Sequence, residues 1–327
     1  MKILILGSGS FAGQALFSDL KTNGFEVIGI NRSPIKGKEY WPWIKNFKED
    51  LDWISFNIKK EPEKFKFILK TINPTHIVDF MGQGMVAQSW EDPKLWYNTN
   101  LSEKSFILEN IRELDDLKKY VRASTPEVYG SNKNHINEKS YFNPSTPYAI
   151  SHAAIDFHLR CLGEKYDFPY SIGRFSNFYG EGQQLYRVIP RAILSCLTGK
   201  KFILDGNGMS RRSFIYSSDI VESMKLLLFE SPNKSEFNFS GDEEVTIKDL
   251  IQLICNVTNN SFDKVVEFGP ERPSKDLIYR LDCKKAMELF DWTPKINLKI
   301  GLQKTINWIE ENINFFKNED WNYIHKE

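Results

Sequence analysis

The sequence predicts an α/β fold in which a doubly wound parallel sheet carries a smaller α/β unit at its C-terminal edge. Three observations predict it: apolar runs alternate with stretches of helical spacing, a glycine-rich turn separates the first strand from the first helix, and the pattern changes near residue 175. Lys2 to Leu6 reads as the first strand, an almost unbroken apolar run of the kind buried on both faces of a parallel sheet. Phe11, Ala15, Leu16 and Leu20 then share one face of a helix running from Phe11 to Asn23. Further strands are read at Phe25 to Ile30, Thr75 to Phe80, Tyr120 to Ala123 and Tyr170 to Arg174, with helical segments between several of them. The lysine-rich, tryptophan-containing stretch from Ser33 to Asp52 is the least regular and reads as an exposed connection. Beyond residue 175, helices around Arg187 to Leu197 and Thr246 to Val257 mix with short strands such as Lys201 to Leu204. The predicted organisation is a sheet domain over residues 1–174, to which the chain returns at about 214–240, and a second domain made mainly of residues 175–327.

Composition narrows the functions open to such a fold. With 41% hydrophobic and 14% aromatic residues in a chain of 327, there is enough apolar material for a real core. The 43 basic residues balance the 43 acidic ones, so no overall field draws in nucleic acid or an anionic membrane, and an anionic ligand must be held by local arginines. Trp41, Trp43 and Trp53 have no accompanying basic stripe, which assigns them to core packing or a subunit contact rather than to base stacking. Cys161, Cys196, Cys255 and Cys283 lie far apart with no C-x-x-C pair, and the histidines show no ligand spacing, so no metal site is expected. The apolar run after Lys2 is too short for a signal peptide and no stretch reaches membrane-spanning length; the expected location is a reducing cytoplasm.

Gly7, Gly9 and Gly13 sit between the first strand and its helix, where missing side chains let backbone N–H groups and the positive helix end approach a pyrophosphate. A dinucleotide is the ligand this context predicts, which makes the sheet domain an NAD(P)-binding Rossmann domain. At the end of the second strand, where an acidic residue would grip the ribose hydroxyls of NAD, the chain has Asn31 followed by Arg32. Arg32 suits a 2′-phosphate, which tilts the expectation towards NADP.

Six segments then appear in order: GSGSFAG, ASTPEVYG, NPSTPYAISHAA, GRFSNFYGEGQ, GNGMSRRSFIY and ERPSKDLIYRLD. Together, from residue 1 to about 313, the chain resembles the extended short-chain dehydrogenases/reductases, the NAD-dependent epimerase/dehydratase family. The resemblance is in particular to sugar-nucleotide 4,6-dehydratases such as dTDP-glucose 4,6-dehydratase, and to their epimerase and decarboxylase relatives. It implies a nucleotide-diphosphate sugar as substrate and a second domain that binds it. It further implies that Tyr148 removes the 4-hydroxyl proton while C4 is oxidised, that Thr125 bonds the 4-oxygen, and that Glu127 takes the C5 proton once C4 is a ketone. Cofactor contacts are implied at Gly7, Gly9, Ser10, Phe11, Gly13, Asn31, Arg32, Asn57, Gly82, Tyr148 and His152. Substrate contacts are implied at Gln83, Thr125, Asn177, Arg187, Arg212 and Arg272, the arginines supplying planar donors for the diphosphate that the neutral whole lacks. Leu101 to Leu114 and Ile150 to Tyr166 carry apolar faces that in this family pair across a two-fold axis as a four-helix bundle, so the resemblance implies a homodimer.

Two positions depart from the family pattern. His152 stands where the family carries a lysine, four residues after the tyrosine on the same helix face. A phenol has a reference pKa of about 10, and a cation about 5 Å away at an effective dielectric of about 20 is worth roughly 3 kcal/mol, or about two pKa units. Two readings follow: a working enzyme in which His152 holds the ribose and either stays protonated or yields to another cation, or a catalytically weakened cofactor-binding protein. Pro126 occupies the position of the acid that protonates the leaving 6-hydroxyl in dTDP-glucose dehydratases, and proline has no proton to give. The outcome after C4 oxidation therefore stays open between 4,6-dehydration and the alternatives of 4-epimerisation or decarboxylation.

Overall fold

β1 (Lys2–Leu6) forms where the first apolar run is, and Ile3 to Leu6 have no exposed surface. A computed structural model of the chain describes residues 1–34, 37–43, 52–132, 134–271 and 279–324. Ser10 starts α1 (Phe11–Thr22), its hydroxyl accepting the Gly13 N–H at 3.1 Å. The alternation continues through β2 (Glu26–Asn31), β3 (Trp53–Ser55), α2 (Pro62–Ile72), β4 (His76–Asp79), the short α3 (Pro93–Tyr97), α4 (Lys104–Arg112) and β5 (Lys119–Ser124). After the two-residue β6 (His135–Ile136) comes α5 (Pro147–Tyr166), capped by Thr146 with proline at its first turn, and then β7 (Tyr170–Phe175).

The later elements are β8 (Asn177–Tyr179), α6 (Val188–Thr198), β9 (Phe202–Asp205), β10 (Arg211–Tyr216), α7 (Ser217–Phe229) and β11 (Ser235–Phe239). They are followed by β12 (Glu244–Thr246), α8 (Ile247–Val257), α9 (Phe262–Val265), β13 (Val266–Gly269), β14 (Arg280–Leu281), α10 (Lys284–Phe290) and α11 (Leu298–Glu311).

Among the described residues the main sheet has seven parallel strands in the order β11-β7-β5-β4-β1-β2-β3, with Ile5 beside Val78 and Val78 beside Val121. The order reverses between β1 and β4, and a crevice opens there at the carboxyl ends of the strands. One face of the sheet packs Phe17, Val27, Met224 and Phe237 beneath α1 and α7; the other packs Phe65, Ile107 and Leu159 beneath α2, α4 and α5. A separate core joins Ile193, Ile251 and Leu302 around the small sheets β12-β10-β8 and β13-β9.

Two details differ from the sequence reading. The stretch around Trp41 reads as an exposed connection, yet Trp41 itself is 1% exposed, in line with its assignment to core packing; its indole N–H donates to Ser18 Oγ at 3.1 Å and its ring packs on Trp53 and Phe17. Indole carries too much apolar area to stay in water when a cleft beside α1 can take it. The chain also comes back to the main core after residue 280: Ala286 and Trp292 join the cluster that holds Ile3, with Trp292 edge-on to Phe239 at 4.9 Å. That return has no glycine or strand signal to announce it.

Candidate active site

The glycine turn is built to let something large come close. Gly7 has φ +75°, and a Cβ on Gly13 would lie 2.4 Å from the Gly7 carbonyl oxygen, so the start of α1 sits flush on the turn. Asn31, at the end of β2, lies over Gly9 and donates to the Ser33 carbonyl at 2.8 Å. Opposite, at the end of β4, Gly82 has φ +159°, and the backbone of Gln83 is held by Asn100, which accepts its N–H at 2.7 Å. This cradle of bare backbone at a helix N-terminus fits a dinucleotide pyrophosphate.

The second group of residues meets it at the ends of β5 and α5. Thr125 begins a single 3-10 turn, Pro126–Tyr129, by accepting the Glu127 N–H at 3.3 Å, and its side chain also hydrogen-bonds Tyr148. Tyr148 is at the first turn of α5, where Ser89 Oγ accepts its N–H at 3.2 Å. Burial first, and then the negative charge of Glu127, push the Tyr148 phenol up to about 12, against opposing contributions from Thr125, Arg187 and Arg122. One turn along the helix, the His152 ring lies 4.5 Å from that of Tyr148.

The surroundings of His152 oppose the protonated ring that one sequence reading allowed. Burial, then Arg122 and Lys104, hold its pKa well below the ordinary histidine value, so the ring is neutral at neutral pH. Its Nδ1 lies 3.0 Å from Arg122 Nη2. Arg122 is 1% exposed and its Nε donates to Asp156 Oδ1 at 3.0 Å, while Arg174 and Ser124 bind the other carboxylate oxygen at 2.9 Å. A second buried pair supports the cofactor side: Lys104 donates to Asp79 Oδ1 at 2.6 Å and to the Met81 carbonyl at 3.1 Å. Burial draws that ammonium down to about 8.

Between these walls lies a cleft of about 640 Å³, a size suited to a small-molecule ligand. Ser10, Phe11, Gly82, Gln83, Thr125, Glu127, Tyr148, His152, Asn177, Arg187 and Arg212 all line it. Arg187 donates to the Gly84 carbonyl at 3.3 Å, and Arg212 stacks 4.7 Å over the Tyr279 ring. Gly7, Gly9, Gly13 and Asn31 form the turn behind the lining. Arg32 lies near Glu103, whose carboxyl feels its charge. Asn57 does not line the cleft: its Oδ1 accepts the N–H groups of Lys59 and Lys60 at 3.0 and 3.4 Å, an Asx turn that satisfies local backbone. Arg272 lies outside the described residues.

Sequence reasoning missed Arg122 and Lys104, both buried cations beneath the cleft. A charged residue inside each apolar element was the available signal, because a charge is kept in a core only with partners. It also missed Tyr323, which returns from the C-terminal end to line the cleft, with its ring 5.3 Å from that of Tyr186. No cluster of potential metal ligands occurs among the described residues, and no helix of those residues is long and apolar enough to cross a membrane.

The GDP-mannose 4,6-dehydratase family model matches residues 4–305. dTDP-D-glucose 4,6-dehydratase from Bos taurus is 33% identical over 330 residues, covering 98% of this chain and 91% of the bovine protein. The human protein of the same name is 34% identical, covering 97% and 92%. Among solved structures, UDP-glucose 4-epimerase from Thermotoga maritima with UDP-glucose superposes with a TM-score of 0.87 at 26% identity, covering 96% of this chain and all of that one. dTDP-glucose 4,6-dehydratase from Bacillus anthracis in complex with NAD gives a TM-score of 0.86 at 24% identity over 97% and 99%, a likeness of fold.

Proposed function

Because the chain belongs to the GDP-mannose 4,6-dehydratase family, among the extended short-chain epimerases and dehydratases, we propose that it is an NAD-dependent nucleotide-sugar 4,6-dehydratase. The observation that carries this reading is the meeting of Thr125, Glu127, Tyr148 and His152 in a single cleft that Arg187 and Arg212 also line. The glycine turn, Ser10 and Gly82 would hold the dinucleotide, which when bound accepts and returns hydride. NAD is the form favoured: the tilt towards NADP drawn from Arg32 gains no support, and the Bacillus anthracis relative was solved with NAD.

The chain's own residues would then divide the proton chemistry. Tyr148 takes the proton of the sugar 4-hydroxyl, and Thr125 donates a hydrogen bond to the phenol oxygen, which stabilises it as phenolate. Glu127, on the same side of the cleft, takes the C5 proton, which a neighbouring C4 carbonyl acidifies. Arg187 and Arg212 are the donors for the two phosphates. Pro126 supplies no acid, so Glu127 itself returns a proton to the departing 6-hydroxyl. That same proline favours one alternative, 4-epimerisation, which needs no acid there.

The test is incubation with NAD and a panel of dTDP-, UDP-, GDP- and CDP-hexoses, read by mass spectrometry. Loss of one water supports dehydration, an isomer of unchanged mass supports epimerisation, and no conversion of any sugar nucleotide overturns both. We place the enzyme in the cytoplasm as a homodimer: Ile150 and Phe157, seven residues apart on one face of α5, are both exposed, and the four cysteines are free thiols. Light scattering reads the assembly; a monomer at micromolar concentration would refute that part.

A further inference from the structure

The site contains a neutral ring where the resemblance calls for a cation, and the cation lies directly behind it. Arg122 Nη2 is 3.0 Å from His152 Nδ1, and a guanidinium has donors only, so Nδ1 accepts and the ring proton belongs on Nε2. That second nitrogen faces the cleft: a Cβ built on Gly82 would lie 4.0 Å from it. Asp156 fixes the fork of Arg122 and also binds Arg174, which pairs in addition with Glu236 at 2.8 Å; Glu236 is shared with Arg160, so two carboxylates serve three guanidinium groups and positive charge is left over.

We propose that Arg122 is a positioning residue that takes over the work of the absent lysine, holding His152 as an Nε2–H donor for the nicotinamide ribose and placing a buried positive charge one ring removed from Tyr148. The inference rests on the reading of the cleft as a dehydrogenase-type site. It explains why the pair belongs together. The groups facing position 152 are Arg122 from β5, Lys104 from α4 and Tyr148 from its own helix, and an ammonium there would meet two buried cations. The groups facing Tyr148 are Glu127, Thr125, Arg187 and Arg122, so removing Arg122 leaves Glu127 opposed by one cation fewer.

Two measurements test it. Nitrogen-15 spectra of histidine-labelled protein should show His152 neutral and protonated on Nε2 from about pH 6 to about pH 9; a ring that titrates in that range, or carries its proton on Nδ1, overturns the proposal. This readout needs no substrate, so it stands even if no sugar nucleotide is converted and the functional reading fails. In turnover, His152→Gln keeps an acceptor towards Arg122 and a donor towards the cleft, and should lose about tenfold or less in kcat. His152→Leu and Arg122→Met should each lose about a hundredfold in kcat with KM changed less than about threefold, and the rise of rate with pH should move up by about one pH unit in Arg122→Met alone. His152→Lys should recover activity only when combined with Arg122→Met. A His152→Gln enzyme as inactive as His152→Leu, or a folded Arg122→Met enzyme with the parent pH profile, overturns it.

Discussion

Raising the pH should accelerate C4 oxidation in a way that reports on Tyr148 directly. The phenol is pushed up to about 12, chiefly by burial and then by Glu127, with Thr125, Arg187 and Arg122 acting the other way and His152 contributing no charge. A group whose pKa is raised holds its proton longer, so the basic form grows as pH rises. A unit positive charge, as the oxidised nicotinamide would bring, is worth roughly 3 kcal/mol, about two pKa units, which still leaves the phenol mostly protonated below about pH 9. Below that value the phenolate fraction rises about tenfold per pH unit, so the rate should climb about a hundredfold from pH 7 to pH 9, equivalent to about 2.7 kcal/mol. The assay is single-turnover reduction of bound cofactor by a saturating sugar nucleotide at constant ionic strength, so that product release does not mask the chemical step. Tyr148→Phe supplies the baseline, expected about a thousandfold lower at pH 8 and without the rise. A flat wild-type profile between pH 7 and pH 9, or the same slope in Tyr148→Phe, would refute the reasoning.

Three further outcomes follow from the geometry. Asp156→Asn removes the carboxylate that serves Arg122, Arg174 and Ser124 in the core; Arg174 keeps Glu236 but the buried Arg122 loses its carboxylate, which should cost about 3–5 kcal/mol, seen as a lower denaturant midpoint. Gly13→Ala puts a methyl 2.4 Å from the Gly7 carbonyl oxygen and forces α1 off the turn; NAD affinity by calorimetry should fall about tenfold or more, and unchanged affinity would remove the turn from the cofactor site. Trp41→Ala should cost about 3–5 kcal/mol of stability, because its ring is enclosed by Phe17 and Trp53; a loss under about 1 kcal/mol would refute its place in the core.

Much of this protein is written in local pattern. The strand from Lys2 to Leu6, the glycines that follow it and the helix capped by Ser10 are each defined by neighbours in sequence, and they appear where periodicity and turn chemistry put them. The motif segments likewise carry Thr125, Glu127 and Tyr148 to one cleft, because each lies at the end of a strand or the start of a helix whose direction the sheet order sets. Where Trp41 packs was not legible in this way, since it depends on a cavity beside α1 lined by residues from other segments.

The charge state of position 152 shows where the division falls. Sequence alone determined that a histidine follows the tyrosine by one helical turn and that an arginine interrupts the strand before Thr125. Only the folded chain decided that these two side chains touch, thirty residues apart, with Asp156 behind them and Lys104 nearby. The reason is physical: a side chain's protonation state is set by desolvation and by charges within a few ångströms, and those distances exist only after the sheet and α5 have packed.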